Sequence, residues 1–231
     1  MTRRVSIVIP AGGLGLRMGA GEPKQLQVHL GKTMLEWSLE PFLALGDRLG
    51  KVVIPLAKEI HQHRPTFMDR WPSTVHTCVG GVTRQESVHR GFEVLQDLGA
   101  SQDLWLVHDA ARPMLSQEDL LRLVDKIEES SDGALLATPV RDTLKRSSGD
   151  AQVEGTVDRA YLWQAQTPQG APGPLLWEAS CRGLKEQWKV TDDASLLEQS
   201  GVPVHLVQSQ NVNFKVTLPE DWDGFTAMKK N

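Results

Sequence analysis

The sequence predicts an α/β fold of Rossmann-like type, a mostly parallel sheet with helices on both faces and a projecting β-hairpin arm. Three observations predict it. Short β-branched runs alternate with helical apolar patterns, the first run opens into a glycine-rich loop, and one polar, turn-rich stretch interrupts the rhythm.

Val5 to Ile9 is the first strand, closed by Pro10 and a glycine cluster. Similar runs recur at Lys51 to Leu56, Thr74 to Val79, Leu104 to Val107, Ala134 to Pro139 and Pro203 to Gln208. Helical spacing falls between them: Met34, Leu35, Trp37, Ser38, Phe42 and Leu45; then Val88, Phe92, Leu95 and Leu98; then Leu120, Leu121, Leu123, Val124 and Ile127. Ser116 followed by Asp119 resembles a capping box and starts the third helix. From Arg141 to Gln169 the chain turns polar. Thr143-Leu144-Lys145 and Val153 to Val157 flank a Ser-Gly-Asp turn and read as a hairpin. Two strands alone are marginal in water, so something must cover them, either the domain itself or a second subunit. The expectation is a single domain over 1–231 with 141–165 as its arm.

The 231 residues are 40% hydrophobic and 23% charged, an ordinary globular composition. Lys and Arg number 25 against 29 Asp and Glu, a formal net charge of −4. That balance argues against a nucleic-acid or anionic-membrane binder, and leaves room for a small anionic ligand served by a local cluster of cations. Cys78 and Cys181 lie far apart without metal-ligand spacing, which disfavours a disulfide framework and a zinc site. With no secretory or membrane-spanning pattern, the expected location is cytoplasmic.

The loop Pro10-Ala11-Gly12-Gly13-Leu14-Gly15-Leu16-Arg17-Met18-Gly19 follows the first strand, where ligands of open α/β sheets gather. Its glycines allow backbone N–H groups to close on phosphate oxygens. A dinucleotide fingerprint begun at Gly13 requires glycine where Met18 stands, and no Gly-x4-Gly-Lys-[Ser/Thr] run exists. Arg17 and Lys24 flank the loop and suit a triphosphate clamp: phosphoryl and nucleotidyl transfer depends on positive charge placed where negative charge develops.

These residues, with Pro23-Lys24-Gln25, resemble the signature loop of nucleotidyltransferases. Gly80-Gly81-Val82-Thr83-Arg84-Gln85-Glu86-Ser87-Val88, His108-Asp109-Ala110-Ala111-Arg112-Pro113 and Pro139-Val140-Arg141-Asp142-Thr143-Leu144-Lys145 narrow the likeness. So do Thr156-Val157-Asp158-Arg159, Thr167-Pro168-Gln169, Thr191-Asp192-Asp193-Ala194-Ser195 and Asn213-Phe214-Lys215-Val216-Thr217. Together, from about residue 5 to 223, they resemble the 2-C-methyl-D-erythritol 4-phosphate cytidylyltransferases. The resemblance implies transfer of a cytidylyl group from CTP to methylerythritol phosphate, with Mg²⁺ or another divalent cation. Ribitol 5-phosphate, or another sugar phosphate, is the alternative acceptor.

Carried over by position, the resemblance implies that Arg17 and Lys24 stabilise the transition state. Arg159 and Lys215 would position the acceptor, helped by Arg112, Thr143 and Thr167. Ala11, Gly12, Gly13, Gly81, Ser87 and Ala110 would contact the nucleotide, and Asp109 would hold the metal. It also implies a homodimer in which the arm carries Thr143 and Arg159 to the neighbouring site. Gly12 stands where the family usually has a second alanine, and Val82 where some members carry an acidic residue. Asp192 and Asp193 read as helix caps, His108 as a packed residue beside the site, and Asn213 as a secondary candidate near the metal.

Overall fold

The computed structural model describes residues 3–12 and 23–229. β1 (Val5–Val8) is buried along its length, as a strand covered on both faces must be. A small hairpin follows, β2 (Val28–His29) paired with β3 (Lys32–Thr33), its turn made by Leu30 and Gly31 at positive φ. Thr33 then starts α1 (Met34–Leu43) with a reciprocal capping box: the Glu36 N–H donates to Thr33 Oγ1, and the Glu36 carboxylate accepts from the Thr33 N–H. The chain continues through β4 (Leu49–Leu56), α2 (Lys58–Gln62), β5 (Val75–Val79), α3 (Arg84–Asp97) and β6 (Leu104–Val107). α4 (Gln117–Ser130) begins as its sequence predicts, with the Asp119 N–H donating to Ser116 Oγ.

β7 (Gly133–Pro139) leads into β8 (Leu144–Ser147) and β9 (Val153–Val157), an antiparallel pair that forms its own two-stranded sheet and is mostly exposed. β10 (Trp163–Pro172), α5 (Gly173–Lys185), α6 (Asp193–Gln199), β11 (Val204–Gln208) and α7 (Pro219–Lys229) complete the order.

Seven strands form the central sheet in the order β11-β7-β10-β6-β1-β4-β5. All neighbours run parallel except β10, which lies antiparallel between β6 and β7. Residues 163–165 pair with β7, so the chain rejoins the sheet there. Helices cover both faces, as predicted. On one, Leu35, Leu39 and Phe42 of α1 and Leu120, Leu123 and Ile127 of α4 pack on Val5, Ile7 and Ile54. On the other, Val88 and Phe92 of α3, Leu176 of α5 and Leu196 of α6 pack on Val8, Trp105 and Val107. Gly91 lets α3 lie close: a Cβ there would stand 2.5 Å from Val8 Cγ1.

A third cluster of Met34, Ala111, Val216, Trp222 and Phe225 fixes α7 and the segment before it against α1. No helix among the described residues is long and apolar enough to cross a membrane.

Candidate active site

The candidate residues gather beyond the carboxyl ends of β1, β4, β5 and β6, where an open parallel sheet leaves a crevice. Ala11 bridges to Leu56, its N–H donating to the Pro55 carbonyl at 2.8 Å. A Cβ added to Gly12 would meet nothing nearer than 3.7 Å, with Ser87 Oγ at 3.8 Å. Packing therefore admits an alanine at 12, and it places Gly12 beside Ser87. Gly81 is different, because its Cβ would collide with Glu86 Cβ at 2.3 Å. Its N–H donates to Ser87 Oγ at 3.0 Å, and the Ser87 hydroxyl donates to the Thr83 carbonyl at 2.9 Å. Glu86 accepts from the Val82 N–H, leaving the Val82 side chain in solvent.

Asp109 follows β6 and is the electrostatic centre of the crevice. Lys215 Nζ donates to Asp109 Oδ2 at 2.8 Å and Arg84 Nε to Oδ1 at 3.3 Å. Burial pushes the Asp109 carboxyl up, but Arg84, Lys215 and Arg112 together outweigh it and hold the group well below the usual carboxylate range. It is an anion at any working pH. Lys24 Nζ donates to the Val216 carbonyl at 3.0 Å, which brings it next to Lys215 in the chain. The Val216 N–H in turn donates to the Ala111 carbonyl at 2.8 Å and ties this segment to the loop after β6.

A closed ring of hydrogen bonds supports that loop. His108 is fully buried, and burial lowers its imidazole to about 4, so it is neutral at pH 7. The Arg112 carbonyl, 3.1 Å from Nε2, can only accept, so Nε2 carries the proton and Nδ1 accepts from the Thr167 hydroxyl at 3.2 Å. Thr167 Oγ1 itself accepts from the Asp109 N–H at 3.0 Å. Asn213 Nδ2 donates to the Thr167 carbonyl, and Arg112 Nη1 donates to the Asn213 carbonyl, both at 2.8 Å. The Thr167–Pro168 peptide within this ring is cis.

The structure thus brings Ala11, Gly12, Lys24, Gly81, Ser87, Asp109, Arg112, Thr167 and Lys215 toward one crevice. Ala110 is buried beneath it, its carbonyl accepting from the Ser38 hydroxyl at 3.0 Å. Gly13 and Arg17 lie outside the described residues. Thr143 and Arg159 are exposed on the segment carrying β8 and β9, and among the described residues their side chains make no hydrogen bond or ion pair. Asp192 caps α6 as predicted, its carboxylate accepting from the Ser195 N–H. Arg84 escaped the sequence reading, although it lies within the Gly80 to Val88 motif. The signal available was its place as the first residue of α3, where the helix dipole disfavours a cation.

Comparisons with known proteins give the family. Residues 5–228 match the 2-C-methyl-D-erythritol 4-phosphate cytidylyltransferase family. The Ectopseudomonas mendocina protein of that name is 41% identical over 222 residues, covering 96% of this chain and 94% of its own. The Actinobacillus pleuropneumoniae protein of that name is 42% identical with the same coverage. Among solved structures, a 4-diphosphocytidyl-2C-methyl-D-erythritol synthase superimposes with TM-score 0.81 at 34% identity, covering 99% of this chain and all of that one. The Thermus thermophilus cytidylyltransferase gives 0.77 at 32% identity with full coverage of both chains. Matched by the family over residues 5–228, and 41% and 42% identical to named members along nearly their whole length, the chain belongs to the 2-C-methyl-D-erythritol 4-phosphate cytidylyltransferase family.

Proposed function

We propose that the protein transfers the cytidylyl group of CTP to 2-C-methyl-D-erythritol 4-phosphate, releasing pyrophosphate and serving isoprenoid biosynthesis by the non-mevalonate route. Family membership over nearly the whole chain carries the reading. Each relative cited above bears methylerythritol in its name, so ribitol 5-phosphate is not favoured.

A phosphate oxygen of the acceptor attacks the α-phosphorus of CTP. The new P–O bond forms as the bond to the bridging oxygen breaks, and its electron pair leaves with pyrophosphate. The second pKa of a phosphate monoester is about 6, so the nucleophile is already a dianion at neutral pH and needs no general base. The obstacle is repulsion between anions. Lys24, Lys215 and Arg112 offset it from the crevice, with Arg17 from the first loop. Gly81 and Ser87 seat the nucleoside beside Ala11 and Gly12; Gly13 and Ala110 are assigned to it by their motif positions alone.

A divalent cation, with Mg²⁺ the candidate, belongs to this chemistry. Among the described residues no group of three or more His, Cys, Asp or Glu side chains could hold a metal. An ionised Asp109 beside the phosphates nevertheless fits, because Mg²⁺ is commonly held by one or two carboxylates plus substrate oxygens and water. When bound, it supplies countercharge to the phosphate oxygens.

The reading extends to a cytoplasmic homodimer in which Thr143 and Arg159 on the hairpin arm serve the neighbouring site. Support comes from the bareness of that segment: Tyr161 is 91% exposed and Val153 59%, apolar surface that a second copy would cover. Sedimentation at working concentration tests it, and a monomer overturns it.

The activity itself is tested with purified protein, CTP, Mg²⁺ and methylerythritol 4-phosphate, following pyrophosphate release. Ribitol 5-phosphate and UTP serve as comparison substrates. Release with the methylerythritol acceptor and CTP is expected; a preference for ribitol 5-phosphate, or CTP binding without turnover, overturns the reading.

A further inference from the structure

Arg84 makes a connection that the proposed chemistry does not by itself require. As the first residue of α3 it places a cation where the helix dipole repels one. Its guanidinium leaves the helix and divides between carboxylates on two other elements. Nε donates to Asp109 Oδ1 at 3.3 Å, and Nη2 donates to Asp193 Oδ2 at 2.7 Å. Asp193, the first residue of α6, is almost wholly buried, and burial pushes its carboxyl up against the opposing pull of Arg84. The planar fork therefore spans the crevice from α3 to α6 and fixes where Asp109 Oδ1 points. Lys215 takes the other oxygen, so both Asp109 oxygens already have cationic partners.

We propose that Arg84 is the positioning residue for Asp109, holding its carboxylate between β6 and α6 and keeping it a poor ligand for a cation that arrives without its nucleotide. A divalent ion alone approaches a carboxylate whose charge a guanidinium and an ammonium already offset, with only the remaining lone pairs to bind. An ion carried by a triphosphate brings its own oxygen ligands and needs only one place on the carboxylate. The inference rests on the reading of Asp109 as the residue facing cation and nucleotide.

Arg84→Gln alone leaves Asp193 buried without a countercharge, a change that can unfold the protein. The double variant Arg84→Gln/Asp193→Asn removes the buried charge of Asp193 along with its partly exposed partner, and keeps the shape of the buried side chain. It is expected to melt close to the wild type while kcat/KM for CTP falls about tenfold or more, the scale of losing a charged hydrogen bond. With Mn²⁺ as the probe cation, titrated without nucleotide and read by electron paramagnetic resonance, the double variant is expected to bind several-fold tighter than the wild type. A purely structural role predicts that activity returns with stability. Wild-type turnover in the folded double variant, or unchanged Mn²⁺ affinity, overturns the proposal. If wild-type protein itself releases no pyrophosphate, the proposed reaction fails instead, and the Mn²⁺ titration still decides the part played by Arg84.

Discussion

The Lys215 ammonium stands 2.8 Å from the Asp109 carboxylate, although 106 positions of sequence separate them. Lys215 is partly exposed, so the pair contributes only about 0–1 kcal/mol to stability. Its placement matters for charge in the crevice. Lys215→Ala is expected to melt within a few degrees of the wild type while kcat/KM for methylerythritol 4-phosphate falls about a hundredfold, the scale of losing one preorganised donor. Pyrophosphate release and a thermal melt on the same preparation check both halves, and full activity in the variant removes Lys215 from the acceptor site.

A second carboxylate positions that lysine from a distance. Asp119 is fully buried near the start of α4 and accepts from the Gln210 and Asn211 N–H groups and the Ser209 hydroxyl, fastening the segment that leads to Asn213 and Lys215. Burial pushes its carboxyl up, but these bonds and Arg122 outweigh burial and hold it below the ordinary value. A depressed folded pKa contributes stability that is whole above the unfolded value and is lost as pH falls through the folded one. Asp119→Asn should therefore cost about 1–3 kcal/mol near pH 6, with the gap to the wild type closing below about pH 4. Urea melts at pH 6, 4 and 3 measure it; a gap that stays constant across this range refutes the assignment.

β1, β4, β6 and β7 with α1, α3 and α4 were legible because each is a largely buried apolar run or carries an apolar stripe, and Ser116 announced α4. β10 was not. Its sequence Trp163–Pro172 holds two prolines, a glycine and three glutamines, yet it is a central strand. Its inner half is buried through smallness: a Cβ at Gly170 would stand 2.3 Å from the Trp105 carbonyl, so only glycine lets β10 lie against β6 there. No hydrophobic period records that approach. The site was legible where motifs name residues, as with Asp109 and Lys215. The partners of Arg84 were not, because they lie 25 and 109 positions away on separate elements.

Gly91 carries the same kind of information for α3. Alanine there gains about 1 kcal/mol of helix propensity, but its Cβ would stand 2.5 Å from Val8 Cγ1, and overpacking of this kind costs about 1–3 kcal/mol. Gly91→Ala is expected to destabilise the protein, and to do so less in a Val8→Ala background. Equal effects in the two backgrounds, measured by urea denaturation, would place the strain elsewhere.

Cys78 separates access from reactivity. It borders a cavity of about 550 Å³ with Arg90, Glu93 and Trp177, so a small alkylating reagent can reach it. Burial nevertheless pushes its thiol up to about 11, Arg90 opposing and Glu93 adding to the shift. Only the thiolate reacts, so in a Cys181→Ser background iodoacetamide labelling at pH 8 should run about a hundredfold slower in the native than in the urea-unfolded protein. The native rate should also keep rising about tenfold per pH unit to pH 10, past the point where an ordinary thiol levels off. A plateau near pH 9 would mean that the thiol is not held in its neutral form, and that slow labelling reflects access alone.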